Sequence, residues 1–405
     1  MTGEQQTARM PFPAPERKEV TRPPRLDSLT GLRWWAAFAV FAHHMSIIAP
    51  LPGSYALSYG SYGVTFFFIL SGFVLTWSAR KTVTTSTFYW RRFARIYPSH
   101  FIALLLAIPV FYSFSPAPEE WWVKPVSVGI LALSFVLLQG WSHDPVILFS
   151  GNPAAWTLTC EAFFYALHPA INRVFGKLRV KGSLILVGAV IGAAFLYRFA
   201  VMFSSESWLA AAPLPIVRLS EFVIGIGIAR AMLAGWRVRL SPVWCYLGVL
   251  LLVGWFAISI RWSGNSFVDF LHATANEWII VAFAATIAAV ASSDLTGKRS
   301  LLRWRPFVLL GEWSYAFYLV HATVIYALLA VVGVQPKGWS NLLWYAGLLV
   351  VTVAAAAALH YLVERPCERF MRSWWDRRLA RRTQHDASKP ADVVPVEPVQ
   401  PGSRS

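Results

Sequence analysis

The stretch YGVTFFFILSGFVLTWSA, residues 62–79, runs through eighteen positions without a charged side chain and then breaks into Arg80 and Lys81. A helix needs roughly 17 to 25 apolar residues to cross about 30 Å of hydrocarbon. A basic flank holds its own end of such a helix on the cytoplasmic side. This stretch therefore reads as a membrane-spanning helix whose C-terminal end lies inside.

Similar runs recur outward from it in both directions. Apolar segments occupy 29–50, 62–79, 97–115, 126–141, 154–172, 182–203, 214–234, 242–260, 276–292, 307–333 and 341–363. The 405-residue chain is 56% hydrophobic and 14% charged, with a mean hydropathy of +0.50, too apolar for a water-soluble domain. The fold class expected is all-α, a polytopic membrane helix bundle.

Charge sets the number of crossings. Basic flanks at Arg22 and Arg25, at Arg80 to Arg95, at Arg173 to Lys181, at Arg230 to Arg239, at Lys298 to Arg305 and at Arg365 to Arg372 all belong on the cytosolic side. Both termini are then cytosolic. The loop with Pro116, Pro118, Glu119 and Glu120 falls outside, so only one full crossing fits between it and Arg173. Two apolar segments occupy that interval. The expectation is about ten transmembrane helices plus a re-entrant or broken segment, with 126–141 the piece that does not cross. Such a piece lines a cavity or is shielded by protein, because unpaired backbone cannot face lipid.

Residues 1–26 form a Pro-rich, basic tail without an apolar core, 27–370 the membrane domain, and 371–405 a basic and then disordered cytosolic tail. The net charge of +16 sits beside apolar spans, which is topology rather than nucleic-acid binding. Cys160 and Cys245 fall in or beside apolar spans and Cys367 in a basic flank, so no disulfide is implied. No metal-ligand spacing, phosphate-cradling glycine loop or dinucleotide fingerprint is present.

Ionisable groups inside apolar spans are costly and mark function by default. Here they are Arg33, His43, His44, Glu161, His168, Arg218, Glu221, Glu312, His321 and His360. Arg33 and His44 stand eleven positions apart, which at about 100° per residue is close to three turns, so they share one helix face. About 16 Å separates them along the axis, with Arg33 near the cytosolic interface and His44 near mid-membrane. His43 points about 100° away.

This spacing suits a long anionic donor, its phosphates gripped by cations and its reactive end reaching a buried imidazole. Coenzyme A thioesters have that shape. Arg91, Arg92 and Arg95 can add bidentate phosphate contacts, and the same cluster reads equally well as a topology determinant. His44 is a candidate general base toward a hydroxyl; the alternative is a hydrogen-bonded packing histidine. Glu161, with Tyr165 four residues on, is a candidate to orient His44 or to pair with Arg218. Tyr318 and His321 form a polar stripe that can face the cavity. Cys160 reads as a small apolar filler rather than an acyl carrier, and Glu364-Arg365-Pro366 as the stop of the last helix.

At these residues the chain resembles the acyltransferase-3 family of membrane O-acyltransferases, from about Arg25 to Arg369. The resemblance is carried by Arg25-Leu-Asp-Ser-Leu-Thr-Gly-Leu-Arg33 with His44 beyond it, Gly63 to Phe73, Arg91-Arg-Phe-Ala-Arg-Ile-Tyr-Pro98, Trp156 to Tyr165, Gly311 to His321, and Glu364-Arg-Pro366. It implies acyl transfer from acyl-CoA, a co-substrate rather than a bound cofactor, to a hydroxyl of a small molecule or glycan at the plasma membrane. It also implies His44 as the catalytic histidine, Glu161 as a site residue, and Arg33, Arg91, Arg92 and Arg95 as donor-binding. His43, Tyr165, Glu221, Tyr318 and His321 are expected to line the cavity.

Two positions depart from the family pattern. The usual acidic pair is Glu161-Ala162, which leaves any second-carboxylate role to Glu221 or another group. The opening Leu-Thr-Gly-Leu-Arg is similar to that of actinobacterial members that acylate macrolide or ansamycin antibiotics. A transporter or flippase for an acylated or glycosylated product is the competing reading of the buried charges.

Overall fold

Backbone amides that meet lipid must be satisfied within their own segment, so the apolar runs close into helices. The computed structural model describes residues 23–80, 82–204 and 207–388. Its helices are, in order, α1 (Asp27–Ile48), α2 (Tyr55–Ser58), α3 (Gly63–Trp77), α4 (Thr85–Phe111), α5 (Val128–Phe135), α6 (Pro145–Leu148), α7 (Trp156–Phe175), α8 (Val180–Phe203), α9 (Leu214–Val217), α10 (Leu219–Leu233), α11 (Pro242–Ser259), α12 (Ser266–Ala273), α13 (Ala275–Leu295), α14 (Arg305–Val332), α15 (Asn341–Leu359) and α16 (Arg365–Ser388).

Seven stretches of the described residues are long and apolar enough to cross a membrane: those built on α3, α4, α8, α11, α13, α14 and α15. The α1, α7 and α10 helices are not among them; they carry Arg33, His43 and His44, Glu161 and His168, and Glu221. Outward faces of α8, α11 and α15 expose Leu196, Leu251 and Leu343 at 70%, 73% and 79%, the surface of a protein solvated by hydrocarbon rather than water.

Contacts between helix ends fix the directions. Asp294 accepts from the backbone and hydroxyl of Ser28 at 2.9 and 2.5 Å, joining the end of α13 to the start of α1. The Trp90 indole donates to Met371 O, Arg230 donates to Asn172, and Trp77 donates to Pro24 O. The basic flanks represented by Arg80, Arg91, Arg173, Arg230, Arg303 and Arg369 are thereby gathered at one end of the bundle. At the opposite end Gln335 and Asn341 donate to the carbonyls of Ile48 and Pro50.

Two close helix contacts hold the frame, and each depends on glycine. A Cβ on Gly72 would stand 2.0 Å from Phe222 O, and one on Gly225 1.9 Å from Ile69 O, so α3 and α10, which start together where Arg218 donates to Thr65, pack side by side in parallel with backbones touching. Between α1 and α14, a Cβ on Gly311 would stand 1.8 Å from Thr30 O. Around the first contact lie the buried rings of Phe68, Phe73, Phe164 and Phe222; around the second, Phe41, Met45 and Phe317.

The interval between α4 and α7 contains the broken segment. Where 126–141 was expected not to cross, α5 has only eight residues, about 12 Å, followed by short turns at Gln139–Trp141 and Pro153–Ala155. Its irregular backbone is shielded by protein. The His100 ring donates to Ser134 O (3.0 Å), the Ser134 and Ser150 hydroxyls meet at 2.6 Å, and Gly151 N donates to the Tyr112 hydroxyl (2.7 Å). Asn152 donates to Leu319 O at 2.7 Å, tying the segment to the middle of α14.

One expectation is corrected at the C-terminal end. The chain does not stop at Glu364-Arg365-Pro366: a π turn, His360–Glu364, leads straight into α16. Pro366 has no N–H to return to Leu362 and its ring would press on that carbonyl; the wider turn relieves both conflicts. The tail expected from 371 is accordingly helical to Ser388. Residues 1–22 and 389–405, where the rest of the two tails was expected, lie outside the described residues.

Candidate active site

The site starts on α1. Arg33 lies about 9 Å and His44 about 25 Å from Asp27 along the axis, so His44 sits one turn from the Ile48 end rather than at the middle. The helix ends there because Pro50 disfavours further α backbone in the residue before it. Arg33 and His44 share a face, and α14 packs along that face with Tyr315, Tyr318 and His321 rising beside them.

Three cavities lead inward from the arginine-rich end, each sharing walls with the next. The first, about 450 Å³, is lined by Arg80, Arg91, Arg92, Arg173 and Arg372 together with His168. The second, about 240 Å³, shares Arg92 and Leu75 with it and adds Arg33, Arg95, Glu161, Tyr165 and Tyr315. The third, about 60 Å³, shares Arg33, Phe67, Glu161 and Tyr315 with the second and ends on Thr157, Ser314 and Tyr318. The Tyr318 ring then stands 5.4 Å from that of His321, which stands 5.1 Å from that of His44.

The four expected donor-binding arginines separate into two kinds. Arg95 forms ion pairs with Glu364 and, at 3.0 Å, with Glu368. Arg91 meets Asp376 at 3.3 Å. By contrast, Arg33 and Arg92 have no acidic partner within ion-pair distance among the described residues, and the Arg92 Nε is buried without an acceptor. A cation left unpaired in a cavity wall is a site for an anion. Arg91 and Arg95 are first of all fasteners of α4 to the π turn and α16.

Glu161 does not reach His44. Its Oε2 accepts from the Tyr165 hydroxyl at 3.1 Å, and Ser71 follows at 3.4 Å from the same hydroxyl. It lines the Arg33 cavities. The short stretch before α7 starts that helix deep in the bundle, which puts Glu161 level with Arg33 rather than with His44. The alternative pairing with Arg218 is not made either: Arg218 pairs with Glu221 at 3.1 Å and donates to Thr65 and Asn276. Glu221 is thereby a buried ion-pair partner and lines none of the three cavities.

His44 has histidines as its neighbours. The His43 and His44 rings are 5.0 Å apart, and the Nδ1 atoms of both are buried without a hydrogen-bond partner, as is the Nε2 of His321. Buried polar atoms are nearly always satisfied, and exceptions concentrate at functional sites. Three imidazole nitrogens without partners thus lie close together beyond Tyr318.

Tyr315, which donates to Ile96 O at 2.9 Å, lines both inner cavities and was not among the expected site residues. Its position three residues before Tyr318 on the same stripe was the signal for it. The structural roles of His100 and Asn152 had no signal in spacing, because both act through backbone carbonyls distant in sequence. Glu312 pairs instead with Arg25 at 2.6 Å.

An acyltransferase-domain family matches residues 26–361. The chain is 34% identical to the acyltransferase MdmB of Streptomyces mycarofaciens over 86% of its own length and 92% of the relative's. It is 27% identical to the peptidoglycan O-acetyltransferase OatA of Listeria monocytogenes, over 82% of its length and 55% of that protein's. It is 26% identical to nodulation protein 10 of Rhizobium leguminosarum bv. viciae, over 86% and 95%. No solved structure matches. With a family match over most of the chain and a helix bundle of membrane character, this protein belongs to the acyltransferase-3 family.

Proposed function

We propose that this acyltransferase takes its acyl group from acyl-CoA on the cytosolic side of the plasma membrane, where both termini lie, and transfers it to a hydroxyl of a macrolide- or ansamycin-like natural product. The observation that supports this reading is the chain of cavities from the arginine-rich end to Tyr318, whose ring neighbours that of His321, walled by the two unpaired cations Arg33 and Arg92. A phosphate-bearing donor is held by guanidiniums, and its thioester is delivered past Tyr315 and Tyr318. The antibiotic acceptor is supported by the Leu-Thr-Gly-Leu-Arg opening of α1.

His44 takes the proton from the acceptor hydroxyl as its oxygen attacks the thioester carbonyl. The C–O bond forms, the C–S bond breaks, and the CoA thiolate leaves and recovers the proton from the His44 imidazolium. Glu161 and Tyr165 hold Arg33 and the donor in register at the level of the pantetheine arm. They take no proton in this scheme.

The test is thiol release and ester formation by the purified full chain with acetyl-CoA or propionyl-CoA and a panel of a macrolide, an ansamycin and a peptidoglycan fragment. His44→Ala is expected to lower turnover by about 10²- to 10⁴-fold, the scale of a lost general base. Normal turnover in that variant removes His44 from the mechanism. Movement of product across vesicles without CoA release would establish the transporter reading instead.

A further inference from the structure

His44 accepts a proton in this mechanism, yet Glu161, the group expected to hold its ring, accepts from Tyr165 and lines the Arg33 cavities instead. The two rings that face His44 are those of His43 and His321, and their environments differ. His321 is buried, 1% exposed, and its Nδ1 lies 2.6 Å from the carbonyl of Tyr318, one turn earlier in α14. A carbonyl only accepts, so Nδ1 of His321 carries the hydrogen. In a neutral imidazole the other nitrogen then holds a free lone pair. That nitrogen, Nε2, is buried without a donor.

On the facing ring the orphan is Nδ1 of His44. The centroids are 5.1 Å apart with the rings inclined at 44°. Neither nitrogen has a hydrogen-bond partner in the structure, and at that ring separation a small rotation of either ring brings the two within hydrogen-bonding reach. An acceptor with a fixed tautomer and a nitrogen needing a partner are therefore neighbours across the α1–α14 contact. His43 offers no such anchor: its own Nδ1 is unpartnered, so nothing fixes its tautomer.

We infer that His321 is the positioning residue of the reaction: its Nε2 accepts the Nδ1–H of His44, fixes that tautomer, and turns the His44 Nε2 lone pair toward the acceptor hydroxyl. This rests on His44 being the base. When His44 takes the hydroxyl proton on Nε2, its Nδ1–H bond to His321 becomes charge-assisted and stronger. His321 keeps its own proton and neither gains nor loses one. It occupies the place a carboxylate takes in other nucleophile–base–orienter sets. A neutral orienter avoids placing a second charge at a depth where charge is expensive.

The experiment uses the full chain in lipid nanodiscs, with His44→Ala, His321→Phe, His321→Gln and the His44→Ala/His321→Phe double variant. Two readouts are taken. The first is steady-state thiol release from acetyl-CoA. His321→Phe is expected to lower kcat by about 10- to 100-fold, the scale of one lost hydrogen bond to a charged group, with KM for acetyl-CoA unchanged. His321→Gln, whose amide oxygen can replace Nε2 as acceptor, restores most of the loss, and the double variant is no slower than His44→Ala. The second readout needs no CoA: diethyl pyrocarbonate acylates imidazole nitrogen, and peptide mass spectrometry follows its rate at His44. That rate is expected to fall about tenfold or more in His321→Phe and to return in His321→Gln.

Wild-type reactivity of His44 toward diethyl pyrocarbonate in His321→Phe overturns the assignment, as does a multiplicative loss in the double variant. A wild-type protein that releases no thiol from any acyl-CoA defeats the donor reading alone, since the labelling still reports on the pair.

Discussion

At the scale of single residues, the partners of each arginine decide its work. Arg33 and Arg92 face cavities with no acid within ion-pair distance among the described residues, whereas Arg95 is bonded to Glu364, whose side chain is fully buried. Arg33→Ala or Arg92→Ala is expected to raise KM for acetyl-CoA by about 10- to 100-fold, one charge-assisted contact to phosphate, with little change in the thermal transition of the detergent-solubilised protein. Arg92→Lys recovers only part of the affinity, because an ammonium cannot make the bidentate contact. Arg95→Ala acts differently. It leaves a buried carboxylate without a cation, at a cost of about 3–5 kcal/mol, and shows as a lower melting temperature; unchanged melting would contradict the fastener role. The sequence placed all of these arginines beside the membrane but could not sort them, since their acids lie about 270 positions away and belong to an end of the chain that had been read as helix stop and tail.

At the scale of elements, the α3–α10 contact is the one with least tolerance. Gly225→Ala would drive a methyl group into Ile69 O; separating the two helices costs about 1–3 kcal/mol, the range for overpacking. The expected outcome is a lower melting temperature and reduced yield of folded protein, with residual activity per folded molecule near normal because no cavity wall moves far. Gly188 and Gly248 have open space around a Cβ, and alanine at either position serves as the control. The π turn before α16 is the other element that local rules misjudge: the proline signal is real, but the backbone widens instead of ending. The broken stretch between α4 and α7 was legible from charge counting, because one apolar run too many had to be accommodated. Its bonds to Leu319, Tyr112 and Ser150 were not, because they join segments whose proximity no periodicity encodes.

At the scale of the molecule, orientation is the property that charge pattern and helix directions jointly demand. Cys160 and Cys245 are buried and Cys367 is only partly covered, so a membrane-impermeant maleimide has one ready target at the arginine-rich end. Labelling is expected in inverted vesicles and not in intact cells, with the reverse for Val334→Cys, which lies in the exposed turn between α14 and α15 at the other end. Labelling of Cys367 from outside intact cells would turn the protein over and remove acyl-CoA's access to the cavities. The sequence by itself determined the all-α membrane class, the extra apolar stretch too short to cross and the family, because hydropathy, charge and motif order are properties of the chain read in one direction. It also put Arg33 and His44 on one face, since helical periodicity fixes angles within an element. Only the tertiary structure decided that Glu161 bonds Tyr165 in the cavities that Arg33 lines, that Glu221 pairs with Arg218, and that the ring beside His44 from another helix is His321. Those are distances between helices, set by where glycines let backbones close and where a broken segment starts α7, and no spacing along the chain contains them.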